Sequence, residues 1–171
     1  NNIIANPNCS TAQLVMVMYP LHIKYHIKRI IVSTYQSVSG TGTSGINQLL
    51  TERKLYNEKK NTYELLKEPY NMVYPTNIDL NCIPFCDDID YDTGYTKEEL
   101  KLIKETNKIL DPSIAITATA IRVPTIGGHG ESVNIEFENE YIVGDIIQLL
   151  NNTNGIEIKT MATPSDVKDN S

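Results

Sequence analysis

Apolar residues recur along this chain at two different periods, and the alternation between them marks out its elements. Leu14, Val17, Met18 and Leu21 fall at helical spacing, which predicts an amphipathic helix over 10–21. Asn8 or Ser10 supplies its N-cap, and Pro20 weakens its last turn. Ile30, Ile31, Val32, Thr34 and Tyr35 are β-branched or aromatic, so 27–36 reads as a strand with a buried segment at 30–32. A Gly/Ser/Thr loop over 37–45 leads into a helix over 46–58 with Ile46, Leu49, Leu50 and Leu55 inward. Residues 61–76 are polar and read as a long excursion, 79–84 as a short strand and 87–94 as an acidic loop. The clearest helix is 96–110: Thr96 and Glu99 form a capping box, and Leu100, Ile103, Asn107 and Leu110 keep helical spacing. Strands follow at 114–123 and at 132–138, the latter with Val133, Ile135 and Phe137 on one face and Asn134, Glu136 and Glu138 on the other. A helix over 142–150 and a last strand over 156–161 complete the pattern.

Strands interspersed with helices predict an α+β domain, and the half-polar strands predict a mixed, largely antiparallel sheet with helices packed on one face. The length of 171 residues suits one domain or one large half of a bigger enzyme, and a hydrophobic content of 40% supplies a core. The net charge of −6 argues against a nucleic-acid surface, which needs clustered Lys and Arg. The basic cluster Lys24–Arg29 reads as a solvated turn between helix and strand. No apolar stretch approaches the ~20 residues that span a bilayer, so no membrane partner is expected. Cys9, Cys82 and Cys86 are odd in number in a chain too large to depend on disulfides, which points to a reducing, cytoplasmic setting. Cys82 and Cys86 are expected as small core residues. With only His22, His26 and His129 as imidazoles, none in a ligand-like repeat, no metal site is expected. The chain opens without Met or a signal peptide and reads like the middle of a protein; residues 162–171 read as a polar, frayed or cut tail after a domain over 1–161.

Chemistry is suggested at four places. Cys9 lies at the first turn of a helix, where unsatisfied N–H groups and the positive dipole end favour a thiolate and can hold an oxyanion or phosphate. His129 stands among glycines in Gly127-Gly128-His129-Gly130-Glu131, which leaves an imidazole accessible as a general base for a cysteine nucleophile. Arg122 ends an apolar strand and is suited to grip a carboxylate with two prongs. Glu98 and Lys101 share a helix face and suit an ammonium and an anion respectively, or an ion pair with each other. The run Ser39-Gly40-Thr41-Gly42-Thr43-Ser44-Gly45 follows a strand, yet lacks an acidic residue about twenty positions on inside a βαβ unit, which a dinucleotide site requires.

Taken together, Asn6-Pro7-Asn8-Cys9-Ser10-Thr11, Ser33-Thr34-Tyr35-Gln36-Ser37-Val38-Ser39-Gly40-Thr41-Gly42, Gly94-Tyr95-Thr96-Lys97-Glu98-Glu99-Leu100-Lys101, Arg122-Val123-Pro124 and Gly128-His129-Gly130-Glu131-Ser132-Val133 strongly resemble the aspartate-semialdehyde dehydrogenase family. The likeness runs in order over nearly the whole chain. It implies the catalytic and dimerisation domain, with the fold of the C-terminal domain of glyceraldehyde-3-phosphate dehydrogenase. It also implies roles: Cys9 as nucleophile, Gln36 orienting the bound intermediate, and His129 as acid/base. Arg122 would bind the substrate carboxylate, Glu98 its amino group, and Lys101 and Asn8 phosphate, while Ser39 and Gly40 would line the nicotinamide side of NADP. Gly130 and Ala120 depart from the residues common there, Ser and Cys. The substrates implied are aspartate semialdehyde, aspartyl phosphate and phosphate, handled by a homodimer in lysine, threonine and methionine biosynthesis. The family's Gly-rich dinucleotide-binding segment is not found in this chain, so most of the NADP site is expected outside it, and the chain alone is expected to be inactive. A related acyl-phosphate reductase, a different cysteine enzyme and a non-catalytic dimerisation module remain as alternatives.

Overall fold

The first helix, α1 (Cys9–Tyr25), runs through Pro20 and is longer at both ends than its apolar stripe. The structure, a computed structural model, describes residues 3–58 and 72–166. Of the expectations above, most of the 61–76 excursion and the end of the 162–171 tail lie outside those residues. The first strand, β1 (Ile27–Ser37), starts almost at once. His26 makes the junction in a left-handed conformation, φ 54°, with its N–H on the His22 carbonyl, while Ile27 N donates to His22 Nδ1 at 3.1 Å. Lys24 and Arg29 are solvated as expected, but helix and strand consume the predicted turn between them.

After β1 come a 3₁₀ turn (Val38–Thr41), α2 (Thr43–Glu58), α3 (Lys97–Ile109), β2 (Ala115–Val123), β3 (Gly130–Phe137) and α4 (Val143–Asn151). The sheet order is β2-β1-β3. Glu138 N and Asn139 N donate to His26 and Tyr25 carbonyls, so β3 ends where β1 begins and the two are antiparallel. Val38 N donates to the Thr125 carbonyl, so β1 and β2 end together and are parallel. The mixed sheet inferred from the half-polar strands is therefore present.

The described residues form two compact units: 3–34, 87–119 and 131–162 make the first, and 35–58, 72–86, 120–130 and 163–166 the second. In the first, Leu14, Met18 and Leu21 of α1, Leu102 of α3 and the partly buried Ile146, Leu149 and Leu150 of α4 pack with Ile27, Ile30, Val32 and Ala118. Burying each such aliphatic side chain is worth roughly 1.5–3 kcal/mol. The helices share one face of the sheet; Ile31, Ala115, Thr117, Asn134 and Glu136 point the other way and are exposed. Hence only alternate residues of 30–32 are buried. The axis of α3 is turned from the stripe the spacing suggested, with Leu102 and Thr106 deepest and Leu100, Ile103, Asn107 and Leu110 flanking. Its capping box is present, Thr96 N donating to Glu99 Oε2 at 2.7 Å and Glu99 N to Thr96 Oγ1 at 3.3 Å.

The second unit has its own core of Val38, Leu49, Ile78 and Ile83, flanked by Ile46 and Tyr74. Leu50, expected inward, is 53% exposed. Its neighbours Gln48 and Glu52 are buried instead. Gln48 Oε1 accepts from Val73 N and Tyr74 N, its Nε2 donates to Glu52 Oε1, and Glu52 Oε2 accepts from Ile78 N and Asp79 N. Two polar side chains of α2 thereby satisfy the backbone of 73–79, which has no ladder of its own.

Two expected strands do not form. Over 79–84, Leu80 turns left-handed at φ 57° and Pro84 has no N–H, leaving one antiparallel bridge between Ile83 and Arg122. Over 156–161, Ile156 N closes a turn on the Thr153 carbonyl and no strand is present. Cys86 is buried as expected, whereas Cys82 is exposed; none of the three cysteines is in a disulfide. Among the described residues no helix is long and apolar enough to cross a membrane, and no group of three or more His, Cys, Asp or Glu is arranged for a metal.

Glu131 opens the first-unit part of β3 with one carboxyl oxygen buried and unpartnered. Burial pushes its pKa up to about 7 from 4.5, against a bond from Gln13 that lowers it. The folded chain thus holds this proton more tightly than the unfolded one, and stability falls as pH rises from about 4.5 to about 7. Glu131→Gln removes that loss. Urea unfolding should find the variant more stable than the parent at pH 8, by at most about 3 kcal/mol, with the advantage gone at pH 4. An equal advantage at both values would mean that the carboxyl titrates normally.

Candidate active site

Asn8 is the N-cap of α1 and immediately precedes Cys9. Its Oδ1 accepts from Ser10 N at 3.0 Å and Thr11 N at 3.4 Å. Its Nδ2 donates to Glu98 Oε1 at 2.9 Å, and its backbone N to Glu105 Oε2 at 2.7 Å. The exposed thiol of Cys9 therefore starts a helix whose first turn is tied to α3. Glu98 lies in the first turn of α3, 9% exposed, and its other oxygen meets Lys101 Nζ at 3.5 Å. Lys101 Nζ also donates to Asp87 Oδ2 at 3.0 Å. That bond holds the Asp87 carboxyl below its usual range and raises the Lys101 ammonium above its own. The first unit thus brings Asn8, Cys9, Glu98 and Lys101 together as one polar cluster at the starts of two helices. Asn8 is engaged there as cap and as donor to Glu98. Asp87 and Glu105 were not singled out from the sequence; a carboxylate reaching across 14 or 97 residues leaves no periodic signal.

In the second unit the other expected residues gather around the end of β1. The loop from β2 to β3 crosses there because those strands flank β1. Ser37 N donates to His129 Nδ1 at 3.1 Å, and Ser37 Oγ donates to the Gly127 carbonyl at 2.7 Å. Gly127 N in turn donates to Ser39 Oγ at 2.9 Å. A backbone N–H can only donate, so Nδ1 of His129 is the acceptor and the neutral ring carries its proton on Nε2. Arg122 Nη1 donates to the Ser37 carbonyl at 2.9 Å, and its guanidinium lies over the Tyr74 ring, 5.8 Å from the centroid. Gln36, just before this anchor, is buried.

Gly40 sits against both functional groups. A Cβ there would come within 3.1 Å of Arg122 Nη1 and of His129 Cε1. It is exposed, so bare backbone is presented beside the imidazole. Gly130, where the family commonly has Ser, has only Pro164 Cγ and Tyr35 Cβ near its missing Cβ, both at 3.9 Å, so a serine fits without strain. Ser37 and Tyr74 were also not singled out from the sequence. The part Ser37 plays is largely main-chain, and Tyr74 reaches Arg122 from a distant segment.

The family model for "Semialdehyde dehydrogenase, dimerisation domain" matches residues 18–170, and the chain belongs to that family. Its relatives are aspartate-semialdehyde dehydrogenases. The one from Helicobacter pylori strain 26695 is 41% identical over 160 residues, covering 92% of this chain and 46% of that protein. Aspartate-semialdehyde dehydrogenase II from Vibrio cholerae, solved in complex with ASA, superposes with a TM-score of 0.83 at 39% identity, over 91% of this chain and 44% of its own. The Candida albicans enzyme solved with NADP gives 0.58 at 27% identity, over 88% and 35%. The chain spans about half the length of the curated relatives it matches.

Asn8→Ala removes the helix cap and the bond to Glu98 together. It should lower stability in chemical denaturation by about 1–2 kcal/mol, and Asn8→Ser, which keeps a capping oxygen, by less. Equal losses in the two variants would assign the effect to the Glu98 bond rather than the cap.

Proposed function

We propose that this chain is the catalytic and dimerisation domain, residues 1–161, of an NADP-dependent aspartate-semialdehyde dehydrogenase. The enzyme interconverts aspartyl phosphate and aspartate semialdehyde through a thioester on Cys9, in the cytoplasm, for the aspartate-derived amino acids. The observation that carries this reading is the position of Cys9, an exposed thiol opening α1 beside a cap bonded to Glu98. The family and the names of the relatives support the substrate, and the relative solved with NADP supports the cofactor.

In the oxidative direction the Cys9 sulfur attacks the aldehyde carbon, forming a C–S bond and an oxyanion. His129 donates a hydrogen bond from Nε2 to that oxygen, and is the acid/base wherever a proton moves there. Gln36 orients the adduct. Ser39 and Gly40 would hold the nicotinamide of NADP, which when bound would supply the acceptor for the hydride lost from the substrate carbon. As the carbonyl re-forms, Cys9 carries a thioester. Phosphate, bound by Lys101 and Asn8, attacks the thioester carbon and expels the thiolate, giving aspartyl phosphate; biosynthesis runs in reverse. A thiolate suits both steps because it attacks and leaves well. Arg122 binds the substrate carboxylate and Glu98 its ammonium, a charge match that a neutral aldehyde lacks. The domain pairs with a second copy, as its family description implies.

Native labelling with iodoacetamide, mapped by mass spectrometry, tests the nucleophile. Cys82 is the internal standard, because it is exposed but opens no helix. Cys9 should label faster than Cys82, with Cys86 slowest; equal rates at Cys9 and Cys82 would remove the claim. In the full-length enzyme, Cys9→Ser should abolish phosphate-dependent reduction of NADP. Arg122→Lys keeps the charge but loses the fork, and should raise KM for aspartate semialdehyde about tenfold or more. An unchanged KM would show that another group holds the carboxylate.

A further inference from the structure

We propose that Tyr74 is a positioning residue that sets the plane of the Arg122 guanidinium, and so the selectivity for a carboxylate-bearing substrate. The proposal rests on the reading of Arg122 as the carboxylate clamp. Arg122 is held on one prong by the Ser37 carbonyl, at 2.9 Å, and its Cζ lies over the face of the Tyr74 ring, 5.8 Å from the centroid. Its other guanidinium donors have no acceptor among the described residues. A two-pronged grip on a carboxylate depends on the tilt of the fork as well as its position. One hydrogen bond to a carbonyl fixes a point and leaves rotation about it; a ring face under Cζ disfavours rotations that carry the guanidinium off it.

Tyr74 is itself held by three features. Its backbone N and that of Val73 donate to Gln48 Oε1, at 3.1 and 2.6 Å. Its hydroxyl donates to Thr41 Oγ1 at 2.7 Å, at the end of the 3₁₀ turn. Gly45 leaves room for it, since a Cβ there would lie 2.7 Å from the Tyr74 hydroxyl. With that hydroxyl's proton on Thr41, the ring acts on Arg122 through its face rather than as a ligand for the substrate. Gly40 also admits the guanidinium, since a Cβ there would be 3.1 Å from Nη1. The orientation of Arg122 is therefore set by a carbonyl, a ring and a missing side chain, all in one unit.

The test is steady-state kinetics of the full-length enzyme with aspartate semialdehyde, using Tyr74→Leu, Tyr74→Phe, Arg122→Lys and the double variant. Tyr74→Leu removes the ring and should raise KM about tenfold while kcat stays within about twofold. Tyr74→Phe keeps the ring and loses only the Thr41 latch, so its KM should rise by about threefold or less. In the Arg122→Lys background, adding Tyr74→Leu should change KM by less than about twofold, because the fork it orients is already gone. Effects that multiply in the double variant, or a fall in kcat at constant KM, would overturn the positioning role and leave the clamp intact. So would an unchanged KM in Tyr74→Leu beside a raised one in Arg122→Lys. An unchanged KM in Arg122→Lys overturns the clamp itself. Tyr74→Phe keeps the outcome readable should the leucine variant fail to fold.

Discussion

Ser37 ends β1, and its three polar groups are all directed at the β2–β3 loop or at Arg122. Its N–H donates to His129, its carbonyl accepts from Arg122 and its hydroxyl donates to Gly127. One residue thus sets the tautomer of the imidazole, the position of the guanidinium and the path of the loop. The constraint follows from sheet order. With β1 between β2 and β3, the connection must cross the end of β1, where the last main-chain groups have no ladder partner. Polar atoms left over by the sheet become the fixings for the chemistry.

The first unit uses helix ends for the same purpose. Four N–H groups at the start of any α-helix lack internal partners. Asn8 takes two of them and gives one amide N–H to Glu98 at the start of α3. The residue before the proposed nucleophile is therefore a structural joint between two helices. Glu98 is held from both sides, by Asn8 and by Lys101, with Asp87 sharing the ammonium. The neighbours of this buried carboxylate fix where it points.

Much of this was legible in the chain, and the failures have a common cause. The capping box of α3 and the alternation in β3 are local signals, written within a few residues, and both are present. The strand over 79–84 failed because its apolar pattern competes with Leu80 and Pro84, and only Ile83 finds a sheet partner. Leu50 was misplaced because α2 buries Gln48 and Glu52, polar residues that an apolar stripe does not count. Cys82 was misplaced by assuming that both cysteines of a pair share one environment. At the site, residue types with distinctive chemistry could be named from motifs. What holds them could not be: Asp87, Glu105, Ser37 and Tyr74 act over long sequence separations, and such contacts leave no periodicity.

The anchoring by Ser37 has a consequence for how such a site can vary. Two of its bonds run through the main chain, so replacing the side chain deletes only the hydroxyl's bond to Gly127 and its 3.3 Å contact with His129 Nδ1. A survey of side-chain substitutions would therefore score this position as mildly important and miss most of what it does. The information is stored in the backbone, where amino-acid exchange cannot erase it. A change to the amide itself, such as replacing the peptide linkage before Ser37 with an ester, would expose it by deleting the main-chain donor to His129 while the side chain stays in place.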